Sequence, residues 1–248
     1  MIIEELLSSV AASLAGREVT DLRIGFGYTG AWLEGGAAGV AFSFRRQAGH
    51  YCELKSSSGE LHQRDAMELA RLALKPRLVD SAVGMAVINA ALSEKVGEKE
   101  NINGDVMEYI EVKPGEKWGM IGNFCPLVNR LQNEVDLYVF ERELTDKYLY
   151  PDWAAAQYLP AMDVVVLSGT TVINNTFDSL FPLCENAREV VVLGPSTPLA
   201  PEIMAAKGVT LLGGTVIENP SRAMRMVGQA GGTRTLLKVS RKVNLALK

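Results

Sequence analysis

The chain reads as an α/β protein in which a small α+β N-terminal domain, an antiparallel meander plus helices, precedes a Rossmann-like parallel-sheet domain. Three observations predict this. Short aromatic and β-branched stretches punctuated by glycines crowd the first part. A polar stretch interrupts the chain before its middle. Beyond it, short and nearly continuous apolar runs alternate with helical segments, as in strands buried on both faces of a parallel sheet. The 248 residues suit one large domain or two of ordinary size, and 48% apolar residues are enough to build a core.

Residues 2–15 set Ile2, Ile3, Leu6, Leu7, Val10, Ala11 and Leu14 on a helical period that stops at Gly16. Residues 19–26, 28–33 and 39–44 read as strands of a meander, with Gly27, Gly30, Gly35 and Gly36 between and within them. Residues 64–74 and 79–92 have helical patterning and are parted by Lys75-Pro76. The charged stretch 95–104, with Asn101, Asn103 and two glycines, is the expected boundary between a domain of residues 1–97 and one of residues 104–248. In the second, strands are expected at 117–121, 135–140, 163–167, 190–193 and 209–212, and helices at 126–132, 154–158, 171–184 and 200–207. Such alternation implies right-handed crossovers. In the tail, 236–239 and 243–247 fit a final strand or a packed edge, and its Lys and Arg residues read as a solvated face.

Several function classes are excluded early. A net charge of −4 without a Lys/Arg block argues against nucleic acid as partner, because phosphate neutralisation dominates that affinity. Met1-Ile2-Ile3-Glu4-Glu5 lacks the basic start of a signal peptide, and no uncharged apolar run approaches the ~20 residues that span a bilayer. A cytoplasmic protein with no membrane partner is expected. Cys52, Cys125 and Cys184 lie far apart, so no zinc ribbon, iron–sulfur motif or disulfide scaffold is written locally, and three thiols suit a reducing compartment.

The polar residues collect after the apolar runs: Gly122-Asn123-Phe124-Cys125-Pro126, Glu141, Ser168-Gly169-Thr170-Thr171, Gly194-Pro195-Ser196-Thr197 and Gly213-Gly214-Thr215. In a parallel sheet these segments emerge on one carboxyl edge, where open α/β folds bind ligands. Any one of them alone is also what a strand-to-helix turn needs for capping. Gly122-Asn123-Phe124-Cys125 is not the glycine pattern that cradles a pyrophosphate, yet Glu141 follows Gly122 by 19 residues, about where an acid would meet a ribose hydroxyl. Thr171 caps a helix or, with Ser168, Thr170 and Asn174, offers hydrogen bonds to a ligand. Pro195-Ser196-Thr197-Pro198 is a rigid turn with two hydroxyls, and no serine sits in a hydrolase nucleophile elbow. Cys125, expected at a helix N-terminus, is the candidate metal-binding thiol, against its reading as a small hydrophobe beside Pro126. Cys184 reads as core and His62 as an exposed loop residue, whereas His50 and Cys52 would share one face of a strand as a metal pair or a surface pair.

Gly84-Met85-Ala86-Val87-Ile88-Asn89-Ala90, Gly119-Met120-Ile121-Gly122, Ser168-Gly169-Thr170-Thr171 with Asn174, and Gly194-Pro195-Ser196, in that order, resemble the Putative heavy-metal chelation family. The resemblance covers nearly the whole chain. It implies an enolase-N-terminal-like domain paired with a Rossmann-like domain, a cytoplasmic prokaryotic protein, and a site between the domains near the carboxyl edge. It brings no established reaction, and the magnesium carboxylates of enolases belong to a barrel absent here. The positions that carry over are Asn89, Gly122, Thr170, Thr171, Asn174, Pro195 and Ser196. Asn89 breaks the apolar pattern of its helix and must bond backbone across the domain junction or face the ligand.

The expected ligand-binding set is Asn89, Gly122, Asn123, Glu141, Ser168, Thr170, Thr171, Asn174, Pro195, Ser196 and Gly213. Three functions compete. The first is binding or handling of a transition metal ion or a metal-containing small molecule in the cleft between the domains. The second is an enzyme of methyltransferase or oxidoreductase type, with a nucleotide-like cofactor at the same edge. The third is a sensor or assembly subunit acting through a homodimer surface. No acid–base pair or nucleophile–base dyad is written in the sequence.

Overall fold

In the computed structural model, which describes residues 1–48, 57–96 and 104–247, helix α1 (Ile2–Leu14) opens the chain and buries Ile2, Ile3, Leu6, Val10 and Leu14. Strands β1 (Glu18–Ile24), β2 (Tyr28–Leu33) and β3 (Ala38–Phe42) form the expected meander. A two-residue strand β4 (Arg64–Asp65) pairs with β1, so the sheet order is β3-β2-β1-β4. Asp65 then caps the short α2 (Ala66–Ala70) by accepting the Glu68 N–H.

Helix α3 (Leu78–Ser93) is buried at every residue from Ser81 to Leu92, as its all-round apolar sequence requires. One side lies on β3, where Gly39 permits the contact: a Cβ there would fall 2.2 Å from the Ala90 nitrogen. Toward the second half of the molecule, the Ser81 hydroxyl donates to the Ile173 carbonyl at 2.6 Å.

The second sheet contains β5 (Lys117–Ile121), β6 (Asp136–Glu141), β7 (Leu149–Pro151), β8 (Val164–Ser168), β9 (Glu189–Leu193), β10 (Leu211–Ile217) and β11 (Ser240–Ala246). Their order is β11-β10-β9-β8-β5-β6-β7, and only β11 runs antiparallel to its neighbour. Helices α4 (Cys125–Leu131), α5 (Ala155–Tyr158), α6 (Thr170–Ile173), α7 (Phe177–Leu180), α8 (Pro201–Lys207), α9 (Pro220–Gly228) and α10 (Thr233–Leu236) connect them. The mixed α/β class read from the sequence is the class observed. Among the described residues, no helix is long and apolar enough to cross a membrane.

Three local expectations are corrected. The single helix expected over 171–184 is broken, because Asn174 Oδ1 accepts from the Thr176 N–H and hydroxyl and Asn175 takes φ 59°. Gly213 lies inside β10 instead of in a loop after it, since the strand runs on to Ile217 in partnership with β11. Helix α9, capped by Asn219 and started by Pro220, has no counterpart in the sequence reading. It crosses back to the first sheet, where Met224, Val227, Leu236 and Val239 pack with Tyr28 and Val40. The two sheets therefore share their packing at both ends of the chain. Most of the expected boundary stretch, with Asn101 and Asn103, lies outside the described residues.

Candidate ligand cleft

Strands β5, β8 and β9 end on one edge, but β10 does not. It pairs with β9 only over residues 211–213 and with β11 over its whole length, so residues 214–217 and 240–243 run past the sheet as a two-stranded ribbon. Ribbon, carboxyl edge and the residues around the end of β3 line an open cleft of roughly 1020 Å³. That volume accommodates a small organic molecule.

Its floor is built by turns. Gly122 and Gly194 take φ +100° and +118°, in the left-handed region, and the Phe124 ring lies within 3.8 Å of the Cβ positions of both. Glu141, at the end of β6, accepts the Asn123 N–H at 3.1 Å and the Arg142 N–H at 3.0 Å, bracing the neighbouring turn. Ser168 Oγ accepts the Thr170 hydroxyl at 2.8 Å, and the Thr171 hydroxyl donates to the Ser168 carbonyl at 2.7 Å. The Asn123 amide donates to the Tyr148 hydroxyl. Thus the turn-capping reading applies at this edge, to groups that also line the cleft.

Gly122, Asn123, Glu141, Ser168, Thr170, Thr171, Asn174, Pro195, Ser196 and Gly213 all line this one cleft. Asn89 does not. Its amide donates to the Val40 carbonyl at 2.9 Å and the Ser196 carbonyl at 3.2 Å, tying α3 and β3 to the β9 turn. The Ser196 hydroxyl, although it touches the cleft, is buried and accepts the Phe42 N–H at 3.0 Å. Cys125 is exposed at the start of α4 and lies outside the cleft lining, with its thiol 3.7 Å from Asn123 Oδ1. Cys184 is core as expected, and burial pushes its thiol up to about 12. His50 and Cys52 lie outside the described residues.

Sequence reasoning missed the other wall. Tyr28, Phe42, Phe44, Arg45 and Arg46 come from the first half, and Lys242 and Asn244 from the ribbon, beside the Thr215 already expected at the edge. The alternation of Val243 and Leu245 with Lys242 and Asn244 was the available signal for a strand with one polar face. Tyr28 donates to or accepts from Thr233 Oγ1 at 2.7 Å, and burial raises its phenol pKa.

Four carboxylates line the cleft, and each is engaged. Asp105 meets Arg130, Glu143 meets Arg46, Asp152 meets Arg142, and Glu141 holds the two backbone N–H groups. Among the described residues, no group of three or more His, Cys, Asp or Glu is placed to hold a metal ion. The described residues therefore do not fit a bare ion.

A family model described as Putative heavy-metal chelation matches residues 105–246, and a second model of the same description matches residues 5–92. The chain belongs to the Putative heavy-metal chelation family. A family protein of unknown function from Pyrococcus horikoshii superposes with a TM-score of 0.88 at 24% identity, covering 99% of this chain and 100% of that one. Another, from Desulfitobacterium hafniense DCB-2, gives a TM-score of 0.81 at 26% identity, covering 98% of each. An uncharacterized protein of Methanocaldococcus jannaschii is 29% identical over 182 residues, which are 69% of this chain and 68% of that protein.

Proposed function

We propose that the cleft binds a metal-containing small molecule, with the metal already held by an organic chelator. The observation that carries this reading is the engagement of every carboxylate lining the cleft. A hard divalent cation is held by several free oxygen anions, and a soft one by thiolates or imidazoles. Neither set is offered here among the described residues. What the cleft offers instead is Ser168, Thr170 and Asn174, together with the aromatic faces of Phe42 and Phe124. Those groups suit the periphery of an organic molecule, where hydroxyl and amide groups orient and rings fill space. The family description supports the metal, and the volume supports the chelator.

The cofactor-enzyme reading is less well supported, because Glu141 already braces the turn by accepting an N–H on each carboxylate oxygen and the turn after β5 lacks the glycine pattern that cradles a pyrophosphate. Calorimetric titration separates the possibilities. The substitution-inert Co(III)–EDTA complex is expected to bind once per chain, with free Co(II) at least about tenfold weaker. Stoichiometric binding of Co(II) with no binding of the complex would overturn the proposal. Heat from S-adenosylmethionine or a nicotinamide cofactor alone would favour the enzyme.

A further inference from the structure

The cleft is cationic in an anionic protein. Five basic side chains line it beside the four engaged carboxylates, although the whole chain carries a net charge of −4. Three of the five are committed: Arg46, Arg130 and Arg142 each hold a carboxylate. Arg45 lies 4.1 Å above the Phe26 ring. Lys242 meets no carboxylate among the described residues, and no hydrogen bond is formed by its ammonium there.

Its position is set by the ribbon. Lys242 lies opposite Thr215, and Asn244 opposite Gly213, in the β10–β11 register. Because side chains alternate across a strand, these four residues share one face, and all four line the cleft. Asn244 is buried and fixed by donating to the Gly104 carbonyl at 2.9 Å. The lysine therefore projects from a braced strand, two residues along from an anchored side chain. Gly213 keeps this face low, since a Cβ there would fall 2.5 Å from the Leu193 side chain.

We infer that Lys242, with Thr215 beside it, recognises an anionic oxygen group of the ligand, so that the cleft selects negatively charged metal complexes over neutral or cationic ones. This deepens the small-molecule reading of the cleft and rests on it. An ammonium without a carboxylate partner attracts such a group from solution, and the adjacent hydroxyl donates a second hydrogen bond to it. With five basic side chains against four carboxylates, the cleft favours an anion more than the net charge of −4 on the whole chain does.

The test uses the full chain and three substitution-inert probes: the anion Co(III)–EDTA, neutral tris(glycinato)Co(III) and the hexaammine Co(III) cation, with metal-free citrate as a fourth. The wild type is expected to prefer the anion over the other two complexes. Lys242→Gln is expected to weaken Co(III)–EDTA about fivefold, the neutral complex less than about twofold, and Lys242→Arg to restore most of the loss. An unchanged affinity of Lys242→Gln for Co(III)–EDTA would overturn the inference while leaving the metal-complex reading standing. If no complex binds but citrate binds in a Lys242-dependent way, the metal reading fails and the anion inference survives. If no probe binds the wild type, both fail. Lys242 is exposed on an edge strand, so these variants are expected to fold as the wild type does.

Discussion

Two sets of polar side chains meet at the centre of this molecule, and they have opposite fates. At the junction, Asn89 and Ser196 are buried: the Asn89 amide nitrogen donates to the Val40 and Ser196 carbonyls, the Ser196 hydroxyl accepts the Phe42 N–H, and Asn89 Oδ1 has no hydrogen-bond partner among the described residues. At the cleft rim, Ser168, Thr170 and Asn174 bond mainly to each other's neighbourhood and stay partly open, and the Lys242 ammonium meets no partner among the described residues. Residue types are nearly the same in both sets. What separates them is whether fixed backbone groups engage their donors and acceptors, because most buried polar groups are paired within the protein whereas an exposed one is open to a ligand.

Substitutions on the junction should break folding, and those on the rim should break binding. The largest effect is expected from Gly39→Ala, whose Cβ would meet α3 backbone and force the sheet off the helix, at about 3 kcal/mol or more in thermal or urea unfolding. Asn89→Ala should follow at about 2 kcal/mol, since it leaves two carbonyls unpaired and a void behind. A smaller loss, about 1 kcal/mol, is expected for Ser196→Ala from the orphaned Phe42 N–H.

A charged contact far from the cleft gives a control with a pH signature. The Arg188 guanidinium hydrogen-bonds Glu116 at 2.7 Å and holds its carboxyl below the usual 4.5. A depressed carboxylate stabilises the fold above its unfolded pKa, and that stability is lost as pH falls below 4.5 toward the folded value. Glu116→Gln should therefore flatten part of the acid limb of the stability profile, by about 1 kcal/mol, and leave probe binding untouched. Smallest in stability, at under about 0.5 kcal/mol, are Ser168→Ala and Thr170→Val, yet each should weaken Co(III)–EDTA by about threefold to fivefold. A rim variant that costs about 2 kcal/mol of stability yet binds Co(III)–EDTA like the wild type would reverse the distinction.

The sequence discloses the class of fold and most of the strands, because buried parallel strands such as β8 and β9 are apolar throughout and cannot be confused with their surroundings. The carboxyl-edge residues were legible for the same reason: a run of Val and Leu ends at an identifiable place, and the next residues must sit on the edge. Two kinds of information were hidden. Gly213-Gly214 reads as a turn, and only pairing with β11 keeps it extended, so the ribbon is not legible from local pattern, and Lys242, beside a stretch that fits a final strand, reads only as part of a solvated face. Asn89 and Ser196 could be flagged as polar, but the partners that decide their role lie 49 and 154 residues away, at Val40 and Phe42 respectively. Helix α9, with its Asn219-Pro220 start and its buried Ala223, Met224 and Val227, has no counterpart in the sequence reading, and neither has its docking on the first sheet.

The central claim is that the metal reaches this protein inside another molecule. Native mass spectrometry of the freshly purified chain, joined to elemental analysis of the same sample, tests it most directly. The expected result is an ion heavier than the chain by an organic molecule and a transition metal together, both lost when the protein is unfolded. A metal retained stoichiometrically with no organic mass would contradict the account.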